Sequence, residues 1–150
     1  MKLWHPWRWL RDHHADVDVT HTPLCQGRMA ELNGDRIRME SRLTQAERRC
    51  SLTHELVHIE RRGREHPDPV VEEQIVELES ARRLITVDQL ADAFRWLRSP
   101  DLADLAEHLW VDEPTAQCRM DYLDPLEVAQ IEAACDGDWS WIRPEVARGA

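Results

Sequence analysis

Polar and apolar positions follow two rhythms along this chain, a period of two in the first quarter and a helical period after it. Residues 16–24, DVDVTHTPL, alternate Val17 and Val19 with polar neighbours and stop at Pro23, which predicts a half-buried strand. Two more alternating stretches, 28–32 and 36–39, flank Asn33-Gly34, the dipeptide that most strongly marks a hairpin. A small antiparallel sheet is the expectation. Ahead of it, HPWRWL reads as a short helical turn with Pro6 at the first helical position, and Trp4, Trp7 and Trp9 as anchors over the sheet.

From Leu43 onward the pattern turns helical. Thr44 with Glu47 fits a capping box and Gly63 a stop, predicting a helix over 45–62. Asp68 and Pro69 open a second helix to about residue 85, and Thr86 with Gln89 opens a third to Arg98. Ser99-Pro100, Asp112 with Pro114, and Asp124-Pro125 mark three further starts. The fold class expected is therefore α+β and mostly helical. Residues 1–98 form one domain in this reading, 99–136 a helical extension packed on it, and 137–150 a loosely ordered tail. Within the extension, 104–123 has the outline of a helix-turn-helix, but Trp110 stands where the turn usually has glycine and the segment is acidic. A structural helical hairpin, or a surface for a partner, is expected there rather than a DNA reader.

Composition narrows the class. A chain of 150 residues suffices for one compact core, and its apolar runs are too short to span a bilayer. The net charge of −10 is uneven: residues 1–66 sum to +2 and residues 67–150 to −12, which disfavours nonspecific binding of nucleic acid by the second part. Four widely spaced cysteines, Cys25, Cys50, Cys118 and Cys135, without an export signal, read as reduced thiols of a cytoplasmic protein.

The chemistry concentrates in LTHELVHIE, residues 52–60. On a helix His54 and His58 lie one above the other, so both imidazoles can ligate one ion. Zinc suits neutral imidazole, and Glu55, about 100° round the helix, is placed to act as general base toward a water. Leu52, Leu56 and Ile59 form an apolar stripe, so the helix is buried on most sides and the polar face needs partners or a metal. A third ligand is expected from the carboxylates of the next helix. Glu73 and Glu77 share a face, so that one could bind zinc while the other supports a ligating histidine, with Glu73 as ligand and Glu77 as support preferred over the reverse. Glu72 and Glu79 are expected to be solvated, and His13, His14, His21, His66 and His108 to sit at the surface. Cys50, one turn before His54, reads as an inert buried thiol.

The stretches AERRCSLTHELVHIERR, EEQIVELESARRLI and VDQLADAF together resemble the ImmA/IrrE family of metallo-endopeptidases, in the form found in actinobacteria and their phages. PWRWLR and GDRIRM are similar to that subgroup as well. The likeness extends over residues 6–123 and is strongest at 43–93. It implies a zincin-like (gluzincin) fold, with His54, His58 and Glu73 as zinc ligands, Glu55 as general base and Glu77 in supporting position. It also implies cleavage of a partner protein, a phage or mobile-element repressor bearing a helix-turn-helix, in the bacterial cytoplasm. His66, His108 and Tyr122 are the candidates for stabilising the oxyanion. The other reading is a non-proteolytic regulator that binds a repressor or DNA and uses the metal structurally.

Overall fold

A computed structural model describes residues 3–25 and 27–144. The chain divides between Leu84 and Ile85 into two compact units. The first holds α1 (Pro6–His13), β1 (Asp18–Thr22), β2 (Ala30–Asn33), β3 (Arg36–Glu40), α2 (Gln45–Glu60) and α3 (Pro69–Leu84). The second holds α4 (Val87–Leu97), α5 (Leu102–Leu109), α6 (Glu113–Asp121) and α7 (Pro125–Ala134). The class is α+β.

The three strands form one sheet in the order β1-β3-β2. As the hairpin signal requires, β2 and β3 are antiparallel, with Asn33 opposite Arg36. Their two-residue loop puts Gly34 first at a φ of +60°, which a side chain would strain. The expectation of an antiparallel sheet needs correcting at β1, which runs parallel to β3 with Val19 opposite Ile37. Alternation identifies a strand through the burial of one face, and both faces look the same whichever way the neighbour runs. The sheet is mixed.

Within β3, Ile37 and Met39 are fully buried while Arg36 and Arg38 face solvent. They pack with Val17 and with Leu52 and Leu56 of α2, and Trp9, Leu10, Ala30, Leu32 and Ile59 close the cluster. Complete burial of side chains such as Leu52 and Leu56 stabilises by roughly 1.5–3 kcal/mol each. Trp7, expected as an anchor, is instead 42% exposed and stacks on His21. α2 is also fixed from the other side. Arg49, 2% exposed, donates from Nε to the Trp4 carbonyl and from Nη2 to the Leu84 carbonyl, both at 3.2 Å. Thr53 accepts from Trp4 Nε1 at 3.0 Å and donates to the Arg49 carbonyl at 2.8 Å. The N-terminal segment and the end of α3 are thereby tied to the middle of α2.

In the second unit every helix starts on a side-chain cap: Thr86, Asp101, Asp112 and Asp124. Thr86 and Gln89 form the full capping box expected, and Asp124 and Glu127 form another. Trp110 takes the left-handed conformation that ends α5, at φ 56°. The arginine of α6, Arg119, is 2% exposed and points inward, donating from Nε to the Ile85 carbonyl at 2.8 Å and gripping Glu127 with both terminal nitrogens. Residues 137–144 have no regular structure but are held to α4, with Trp139 edge-on to Phe94 and the Ser140 amide donating to the Arg98 carbonyl. The rest of the tail, 145–150, lies outside the described residues. Among the described residues no helix is long and apolar enough to cross a membrane.

Candidate metal centre

α2 begins where the sequence places it. Thr44 Oγ1 accepts from the Glu47 amide at 3.2 Å, satisfying one of the free N–H groups of the first turn. The helix ends at Glu60, and Gly63 follows at a φ of +80°. Four residues apart, His54 and His58 present their rings side by side, with centroids 4.9 Å apart and planes at 72°. Both side chains keep about a quarter of their surface open, 25% and 27%.

α3 supplies the third group. Asp68 Oδ1 accepts from the Val70 amide at 2.9 Å at the start of this helix, which begins at Pro69 as expected. One turn in, the Glu73 carboxylate spans both imidazoles: Oε1 lies 2.6 Å from His54 Nε2 and Oε2 lies 3.1 Å from His58 Nε2. One donor atom from each of the three residues falls within 4.8 Å of the others. Ligand atoms of a tetrahedral zinc with 2.0–2.1 Å bonds stand roughly 3.3 Å apart, so small side-chain adjustments would close the three around one ion. Two imidazoles and one carboxylate, with the rings open on one side, are a donor set that zinc accepts while leaving a position for another ligand.

The site is electrostatically tense. Burial pushes His54 below the usual imidazole value, partly offset by the charge of Glu73. Burial, and then the neighbouring charge of Glu73, raises Glu55 to about 7. A carboxyl poised there can both take and return a proton near neutrality. Glu55 and His58 line an open cleft of about 590 Å³ together with Ala30, Leu32, Arg28 and Arg62.

The edge strand β2 borders this cleft. Because the Glu40 amide donates to the Met29 carbonyl at 2.8 Å, ladder alternation turns the backbone groups of residues 31 and 33 toward β3. Those of Ala30 and Leu32 face the open edge.

No family model, no curated protein and no solved structure matches this chain. The site therefore rests on its own geometry and on the residues quoted above.

The Glu77 side chain makes no hydrogen bond among the described residues and acts on His54 through its charge. The expectation of a solvated Glu72 needs correction. Glu72 is 7% exposed and takes a forked pair of hydrogen bonds from Arg61, Nε to Oε1 at 2.6 Å and Nη2 to Oε2 at 2.8 Å. The Arg61 bonds and the His66 amide hold its carboxyl down to about 2. His14 is likewise engaged, its Nε2 3.0 Å from Glu60 Oε1, which also accepts from Trp9 Nε1 at 2.6 Å. Glu79, 39% exposed, pairs with Arg83 at 2.9 Å. A sequence offers little to reveal the Arg61–Glu72 and His14–Glu60 pairs, because they join residues that only the tertiary fold brings together. Of the oxyanion candidates, His66 uses Nδ1 to accept from the Asp68 amide at 3.0 Å, and His108 and Tyr122 belong to the second unit, His108 facing Asp92. Cys50 is buried, as expected.

Proposed function

We propose that this protein is a zinc-dependent endopeptidase of the zincin (gluzincin) kind, similar to the ImmA/IrrE metallo-endopeptidases. His54, His58 and Glu73 would hold the metal, and Glu55 would act as general base. The observation that carries this reading is the Glu73 carboxylate touching both imidazoles, with Glu55 alongside in a cleft open to solvent.

Bound zinc supplies Lewis acidity, polarising a peptide carbonyl and making a neighbouring water easier to deprotonate. Glu55 removes a proton from the water that attacks the scissile carbonyl carbon. As the C–N bond breaks, Glu55 returns that proton to the leaving amine, so the products are a carboxylate and an amine. A carboxyl near 7 suits both halves of this exchange. A metal-ligating imidazole must be neutral, and burial favours that form of His54.

An extended peptide can be held along β2, which borders the cleft and whose Ala30 and Leu32 backbone groups face the open edge of the sheet. Main-chain pairing of this sort aligns a scissile bond without prescribing its side chains, so selectivity must come from the partner's shape and from the cleft rim. The substrate class proposed is a partner protein, a helix-turn-helix repressor of a phage or mobile element, with cleavage relieving repression in the cytoplasm. The residues that carry the resemblance support this reading.

The test is incubation of purified zinc-loaded protein with such a repressor and, in parallel, with a proteome-derived peptide library, followed by mapping of new N-termini. Discrete new termini are expected with wild type and none with Glu55→Gln. Equal fragments from both proteins would remove Glu55 from its role.

A further inference from the structure

Glu73 is 48% exposed, and its carboxylate has no partners among the described residues other than the two histidines. Apart from those two imidazoles nothing braces its side chain from behind, so its approach to them is set through the α3 backbone. Its neighbour Glu72 is the opposite case: both oxygens are saturated, by the Arg61 fork and by the His66 amide at 2.7 Å to Oε2.

Arg61 follows His58 by one turn, and its side chain is 16% exposed. The same guanidinium donates to the Arg64 carbonyl at 3.3 Å and lies 4.0 Å from Glu79. Arg64 in turn donates to the Glu60 carbonyl at 3.0 Å. The turn between the two ligand-bearing helices is thus closed by hydrogen bonds on both sides of one ion pair. Buried ion pairs contribute little net stability, because desolvation offsets the attraction. What a forked arginine–carboxylate pair adds is fixed distance and orientation.

We propose that the Arg61–Glu72 pair is a positioning device for the third metal ligand: it locks the first turn of α3 against the end of α2 and so holds Glu73 opposite His54 and His58. The proposal rests on the metal reading above. Each member sits close to a ligand in the chain, Arg61 at the C-cap of α2, three residues beyond His58, and Glu72 in α3 beside Glu73. Glu72 points to the clamp because successive residues on a helix diverge by about 100°, which leaves Glu73 to point at the imidazoles.

Zinc affinity of the full chain, measured by competition with a chelator, tests this for wild type, Glu72→Gln and Arg61→Lys. Cobalt(II) absorption of the same proteins reports the ligand geometry, and circular dichroism of the metal-free proteins reports folding. Glu72→Gln removes the charge and Arg61→Lys the fork. The expected result is a loss of zinc affinity of about 10–100-fold for Glu72→Gln, a smaller loss for Arg61→Lys, and a weakened cobalt band in both. Met120→Ala, a core truncation in the second unit, destabilises without touching the clamp and is expected to leave affinity unchanged. Should Glu72→Gln fail to fold, Arg61→Lys and the exchanged pair Arg61→Glu/Glu72→Arg decide the matter, the exchange recovering affinity. Wild-type affinity in the clamp variants overturns the proposal and leaves the metal reading standing. A wild type that binds no zinc overturns both.

Discussion

His54 Nε2 and Glu73 Oε1 meet at 2.6 Å, one carried by α2 and the other by α3. A carboxylate that reaches two imidazoles set one turn apart on a neighbouring helix is a donor arrangement that suits a zinc ion with three protein ligands.

Zinc should therefore stabilise the fold. Free zinc at a hundred times its dissociation constant adds about 2.7 kcal/mol, which raises the melting temperature by several degrees. In Glu73→Ala the increment should fall sharply, and in His58→Ala it should vanish. Differential scanning fluorimetry with and without zinc checks this, and equal shifts in all three proteins would count against the site.

Ala30→Pro tests the edge strand. Its amide faces away from β3, so proline removes a hydrogen-bond donor from the open edge without breaking the ladder. Zinc binding should be unchanged, and KM for a cleaved peptide should rise several-fold with little change in kcat. An unaltered KM would mean that substrate does not pair along β2.

Acid should loosen the junction after β1. Glu40 accepts from Arg42 Nε at 2.9 Å and from the Leu24 amide, and these bonds, the Arg42 contact first, lower its carboxyl to about 2. Because the folded value lies below the ordinary 4.5, the stabilisation is complete above 4.5 and is lost as pH falls from there toward 2. Glu40→Gln should be less stable than wild type at pH 7 and should show a flatter decline over that acid range. Urea titrations at a series of pH values give the comparison.

Arg49→Ala leaves the Trp4 and Leu84 carbonyls without their buried donor. Two buried acceptors left unsatisfied cost about 3 kcal/mol in chemical denaturation, more than the loss of a solvent-facing arginine such as Arg36.

The sequence was most legible where the physics is local. Caps act within one turn, so Thr44, Asp68, Thr86, Asp112 and Asp124 announced their helices, and the spacing of His54 and His58 brought two rings together with no tertiary information. Non-local pairing was less visible. β1 runs parallel to β3, a direction that alternation does not encode. Glu72 looked like any helix-surface acid until the turn at 61–68 set it against Arg61. Glu73 and Glu77 were separable in sequence only by preference, and α3 directs Glu73 at the imidazoles.

Metal content decides most. Protein purified without added metal and analysed by plasma mass spectrometry should carry about one zinc per chain in wild type and in Glu55→Gln, and almost none in His54→Ala, as expected of a site with three protein ligands. Zinc absent from wild type, or retained in full by His54→Ala, would contradict the metal centre and the peptidase built on it.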